Sequence, residues 1–125
     1  MNVSNFELIY EKAKEILANN YVLEQPIHIV EVVRNYELTV YETKFEDKNV
    51  LGFLDIDQKR IMIDRRAKDK QFICAYLFGH WILHRNELEN ENYTRFFKHT
   101  LKYANSIEKE TEFFAFVLTN YVLTN

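Results

Sequence analysis

From about Ala67 to His84 the chain is apolar on nearly every side of a helical projection. Phe72, Ile73, Ala75, Leu77, Phe78, Trp81, Ile82 and Leu83 recur at helical spacing without leaving a polar stripe, so a helix there has to be packed on several sides at once. Such a segment needs partners in front and behind. It predicts a central, most buried helix with the remaining elements laid around it.

The flanking sequence supplies those partners. Ser4 with Glu7 three residues on forms a capping box, and Phe6, Ile9, Ala13, Ile16 and Leu17 follow at helical spacing, so a first helix is expected from about residue 4 to 18. Pro26 suits a first helical turn, and Ile29, Val32, Val33 and Tyr36 share one face. A short second helix ending near Asn35 follows, with His28 in its first turn. The period then changes. Leu38 with Val40, Val50 to Ile56, and Arg60 to Asp64 read as three strands, the last two joined around Asp57-Gln58-Lys59. They predict a small antiparallel sheet. The mixed stretch 85–104 predicts a helix from Thr94 to Tyr103, and a last helix runs from about Ser106 to Val122. Helices against one small sheet make the class α+β, in a single domain over residues 1–125.

Composition narrows what such a domain does. Sixteen basic residues against nineteen acidic ones give a net charge of −3, which repels nucleic-acid phosphates, so no direct nucleic-acid partner is expected. The one basic stretch, Arg65-Arg66-Ala67-Lys68-Asp69-Lys70, reads as a solvated loop and helix start. No run approaches the roughly eighteen apolar residues that span a bilayer, and no basic segment leads into an apolar one at the first residues, so neither membrane residence nor export is expected. Cys74 is the only cysteine. No intramolecular disulfide or thiolate cluster can form, and a reducing cytoplasm is the expected location.

The segment with chemical content is Phe72-Ile73-Cys74-Ala75-Tyr76-Leu77-Phe78-Gly79-His80-Trp81-Ile82-Leu83-His84. Its two histidines are spaced i, i+4, which brings both imidazoles to one helix face within reach of a single ion. In the HExxH pattern of zinc peptidases a glutamate beside the first histidine acts as general base. Here Trp81, Ile82 and Leu83 stand between the histidines, and no carboxylate follows His80.

With these residues in view, the segment resembles the ImmA/IrrE family of zinc-dependent peptidases, whose helix reads approximately R-x-F-T-x-A-H-E-L-G-H-x-L-x-H after a hairpin ending in an I-x-I-N/D-type strand. Leu51-Gly52-Phe53 and Ile61-Met62-Ile63-Asp64 resemble that hairpin, and Phe72, Ala75, Gly79-His80 and Leu83-His84 resemble the helix. Phe114-Ala115, preceded by Glu108, Glu110 and Glu112, is similar to the family's second motif, E-x-E-A-N-x-F-A. The resemblance covers most of the chain. It implies a zincin-like minimal domain with N-terminal helices, a three-stranded antiparallel sheet, a central buried helix and a C-terminal helix.

In this alignment Tyr76 stands at the first zinc histidine and Leu77 at the catalytic glutamate. Thr111-Glu112 replaces Ala-Asn in the second motif. Without a carboxylate to take a proton from metal-bound water, hydrolysis loses a step worth ~10² to 10⁴-fold by itself. No catalytic residue is therefore assigned, and no cofactor is required, although zinc is an ion the remaining pattern admits. On the last helix Glu108, Glu112, Ala115 and Thr119 share a stripe while Glu110 points elsewhere, so His80, His84 and Glu108 form the candidate metal set. The other reading keeps His80 and His84 for packing, their nitrogens satisfied by Tyr76, Glu108 or Glu112.

Tyr76, Leu77, Phe53 and Glu112 are the residues expected to line a partner or peptide cleft between the central helix and the sheet edge, where an extended segment adds as a strand. Cys74 lies on the face opposite His80 and reads as a small buried hydrophobe. His28 and His99 read as surface residues. Phe96, Phe97, Phe113, Phe114, Phe116 and Tyr121 read chiefly as core, with Phe116 on the Glu108 side facing a groove.

Two functions follow as expectations. The first is a catalytically inactive ImmA/IrrE-type homologue that binds a protein partner, which the resemblance implies to be a helix-turn-helix repressor or regulator of a phage or mobile element. The second is an active zinc peptidase with a shifted His80, His84, Glu108 site that cleaves a regulatory protein.

Overall fold

The computed structural model describes residues 5–19, 28–85, 93–97 and 105–120. In chain order the elements are α1 (Asn5–Asn19), α2 (Ile29–Arg34), β1 (Thr39–Thr43), β2 (Val50–Asp55), β3 (Arg60–Asp64), α3 (Lys70–Leu83), β4 (Tyr93–Phe97) and α4 (Ser106–Asn120). The architecture is α+β. Ile9, Ala13, Ile16 and Leu17 are the buried stripe of α1, as their spacing predicts, while Ser4 lies outside the described residues. His28 occupies the N-cap position of α2 but makes no side-chain capping bond there, and it is exposed.

The sheet departs from the expected three antiparallel strands: it has four, in the order β1-β3-β2-β4, and it is mixed. β2 and β3 form the antiparallel hairpin that the sequence predicts. β1 pairs with the far side of β3 and runs parallel to it, Thr39 opposite Arg60 and Thr43 opposite Asp64. The direction follows from the connections, since the chain reverses once between β1 and β2 and again between β2 and β3. A clamp at the strand ends holds this pairing. Asp64 is fully buried, and its carboxylate accepts from the backbone N–H of Phe45 at 3.1 Å and of Arg66 at 2.8 Å. Arg66 adds Nε–H and Nη2–H donors at 2.8 and 2.7 Å.

The second departure is β4. Residues 93–97, of which 94–97 are expected to begin a helix, pair antiparallel with the outer edge of β2. The register shifts between Val50 and Gly52, which leaves Leu51 as the additional residue of a bulge. The rest of the expected Thr94 to Tyr103 helix lies outside the described residues, as do His99, Tyr121 and Val122.

α3 is the central element. Every residue from Ile73 to Trp81 is buried, because the helix lies against β2, β3 and β4 on one side and against α2 and α4 on others. Asp69 caps it, accepting from the backbone N–H of Phe72 at 3.2 Å. α1 packs on α4. The aromatic series divides: Phe96 and Phe114 are core, whereas Phe97 and Phe116 are 41% and 58% exposed. Phe97 is exposed because it sits on an edge strand, and Phe116 because it faces away from α3.

Two glycines set how closely α3 approaches its neighbours. A Cβ on Gly52 would lie 2.6 Å from Ile73 Cγ2, and one on Gly79 would lie 2.9 Å from Thr111 Cγ2 and 3.0 Å from Phe114 Cδ1. Thr111 cannot easily yield, since it is fully buried and its hydroxyl donates to the Ile107 carbonyl at 2.8 Å. Gly79→Val therefore has to push α3 and α4 apart. It is expected to lose about 3 kcal/mol by urea unfolding despite the better helix propensity of valine, and a loss under about 1 kcal/mol would contradict this contact.

Candidate functional site

One face of α3 carries three ring side chains on successive turns. Tyr76 and His80 stand edge to face with centroids 5.0 Å apart, and His84 follows with its ring 5.9 Å from that of His80. All three are buried, at 1%, 4% and 5% exposure. The i, i+4 spacing read from the sequence thus puts the rings side by side. Phe96 of β4 closes the row from the sheet side, its ring 5.1 Å from that of Tyr76.

Tyr76 and His80 open onto a cavity of about 380 Å³. Tyr93, Thr94, Arg95 and Phe97 of β4 form one wall, and Asn105 and Glu108 at the start of α4 form another. Asn105 is the N-cap of α4, and its carboxamide oxygen accepts the Glu108 N–H at 2.8 Å. That bond fixes Glu108 in the first helical turn, where a carboxylate is favoured by the helix dipole. Residues 76, 80 and 108, far apart in sequence, therefore share one cavity.

Their polar atoms are unusually placed. Neither the Tyr76 hydroxyl nor either ring nitrogen of His80 has a hydrogen-bond partner among the described residues. Burial, and then the charges of Glu108 and Glu112, raise the Tyr76 phenol well above its ordinary value. Burial, and then His84, push His80 down to about 4. At neutral pH the cavity thus presents a neutral phenol and a neutral imidazole beside a carboxylate, a set that can donate and accept hydrogen bonds.

The other expected residues lie in different places. The carboxylate beside His84 belongs to Glu110, whose Oε1 is 3.7 Å from His84 Nε2, not to Glu108. Helical spacing places Glu110 off the Glu108 stripe, but spacing along α4 carries no record of how that helix crosses α3. Glu108 faces the cavity with His80, and His84 is not among the cavity's lining residues. Among the described residues no three of His, Cys, Asp and Glu group as ligands of one ion, so the set His80, His84, Glu108 does not fit a metal as it stands.

Leu77 is fully buried, with its Cδ1 against Gly52, and Phe53 stacks on Tyr93 at 5.4 Å. Neither lines the cavity, because Leu77 is turned toward the sheet and Phe53 alternates with Gly52 onto the sheet's other face. Glu112 lines a second, larger groove. Cys74 is fully buried and its thiol is pushed up to about 12 by burial, which leaves it inert. Sequence reasoning missed the β4 contributors. The β-prone Tyr93, Thr94, Phe96 and Phe97 were the available signal.

Two measurements follow from the orphaned atoms. Tyr76→Phe removes a buried hydroxyl that has no partner among the described residues and is expected to stabilise the chain by about 1 kcal/mol, read as a higher urea midpoint. A destabilised variant would mean that the hydroxyl has a partner in solution. His80 holds fewer protons folded than unfolded between pH 6.5 and about 4. Its contribution is present above pH 6.5 and is lost as the pH falls toward 4, about 3 kcal/mol in all. His80→Leu should flatten the profile of unfolding free energy against pH in that window. Identical profiles for the two proteins would refute a buried neutral imidazole.

No helix among the described residues is long and apolar enough to cross a membrane. No protein-family profile matches the chain, and no curated protein sequence matches it.

Proposed function

We propose that the chain is a peptidase-like binding domain of the ImmA/IrrE type that holds an extended segment of a protein partner instead of cleaving it. The observation that carries this reading is that positions 76, 80 and 108 line one cavity at the edge of the sheet, although a tyrosine stands where the resemblance implies the first zinc histidine. Leu77, at the position of the general base, is buried against Gly52. The cavity therefore has no carboxylate on that turn of α3 to accept a proton from water.

The edge that receives the partner is that of β4. Its one strand neighbour among the described residues is β2, and the reading has the partner add as a further strand on the side of β4 away from β2. A segment laid there passes the mouth of the cavity and can set one polar side chain against Tyr76, His80 and Glu108. The partner class implied by the resemblance is a helix-turn-helix regulator.

Co-purification with a helix-turn-helix regulator of the class that the resemblance implies tests the reading. Arg95→Glu and Phe97→Asp alter exposed residues of β4 at the cavity. Each is expected to weaken the complex about tenfold or more with an unchanged melting temperature. Undiminished binding by both variants, or no complex with the unaltered chain, would overturn it.

A further inference from the structure

A second groove, of about 850 Å³, lies on the other side of the Tyr76 and Phe96 pair, at the N-terminal end of α3. Its floor is apolar, made of Leu51, Phe72, Ile73 and Phe96. Leu51 belongs to the floor because the bulge between Val50 and Gly52 breaks the strict alternation of β2. Phe72 and Phe96 meet edge to face at 6.3 Å, so the floor is shaped by packed aromatic rings.

The rim is charged asymmetrically. Lys48, Arg66 and Lys68 stand along it, with Asp69 and Glu112 as the acids. Asp69 is engaged as the cap of α3, accepting from the Phe72 N–H, and Arg66 is spent on Asp64 at 2.7 Å. Glu112 remains on the rim and also bears on the Tyr76 phenol. Lys48 and Lys68 are exposed and have no carboxylate at ion-pair distance among the described residues. In a chain of net charge −3, this is a local cationic rim above an apolar floor.

We infer that this groove binds an acidic peptide segment that places a bulky apolar side chain on the Leu51, Phe72, Ile73 and Phe96 floor and its carboxylates beside Lys48 and Lys68. The floor supplies affinity by burial, and the two ammonium groups select for negative charge. The groove is open-sided, which suits a chain segment lying across it, whereas an acyl chain needs an enclosing tunnel. The inference stands apart from strand addition at β4, since a different set of side chains carries it.

The test is a titration of the whole ¹⁵N-labelled chain with acetyl-Asp-Glu-Leu-Asp-Phe-Glu-amide, and with the same peptide carrying Lys and Arg in place of its acids. The acidic peptide should give saturable shifts centred on Lys48, Lys68, Phe72 and Ile73, and the basic one should bind at least about tenfold more weakly. The double variant Lys48→Glu with Lys68→Glu changes exposed residues and should keep its dispersed spectrum while losing about tenfold in affinity. Phe97→Ala, which alters β4 at the other cavity, should bind the acidic peptide normally. Equal affinity for the two peptides would overturn the inference, as would undiminished binding by the double variant or no saturable shift up to about 5 mM peptide. Saturation of the same residues by decanoate but not by the peptide would also overturn it, in favour of a lipid groove.

Discussion

Tyr76→His is expected to convert the cavity beside α3 into a zinc site. The substitution places imidazoles at 76 and 80, one turn apart, where the present rings already stand with centroids 5.0 Å apart. Glu108 lines the same cavity and completes three protein ligands, leaving one position for water, the arrangement of an open tetrahedral site. Zinc affinity should rise by about two orders of magnitude or more over the unaltered chain, read by competition with a chromophoric chelator. The single change is preferred to one that adds Leu77→Glu, because Leu77 is fully buried and a carboxylate there would lie uncompensated against the sheet. Hydrolysis is not expected to return with the metal, since no general base accompanies it. A folded variant with unchanged zinc affinity would show that positions 76, 80 and 108 do not converge as ligands, and it would remove the main support for the peptidase-like reading.

Asp64→Ala should cost about 3 kcal/mol, or a melting temperature lower by about 10 °C. The carboxylate is wholly buried and accepts two backbone and two guanidinium hydrogen bonds between 2.7 and 3.1 Å. Its removal strands the Phe45 and Arg66 N–H groups and unfastens the end of β1 from β3. Arg66 and the backbone donors hold the Asp64 acid well below its ordinary value of 3.8. Its stabilisation is therefore present above that pH and is lost on acidification below it. Asp64→Ala should consequently show a weaker dependence of stability on pH below 4 than the unaltered chain. A melting temperature within about 2 °C of the original would show that the clamp contributes little.

α3 is legible in the sequence because an all-round apolar helix has one solution, burial on several sides, and that is a local property of residues 72–83. The β2 and β3 hairpin was legible for a similar reason, two β-prone runs joined by a short polar turn. β4 was not. Tyr93–Phe97 carries β-prone residues, but it is a strand because β2 offers it an edge to pair with, and β-propensity does not record which edge that is. The parallel pairing of β1 with β3, and the placement of Glu110 beside His84 with Glu108 at the cavity, likewise depend on which elements meet.

Sequence alone thus determined the repeat of each strongly patterned element and the shared face of Tyr76, His80 and His84, since backbone geometry ties spacing to direction over a few residues. The tertiary structure decided which strand joined the sheet edge, which carboxylate reached which ring, and that Tyr76 and His80 are buried without hydrogen-bond partners among the described residues. Those outcomes are set by packing between segments tens of residues apart. Their free energy depends on mutual burial and pairing, which no local period encodes.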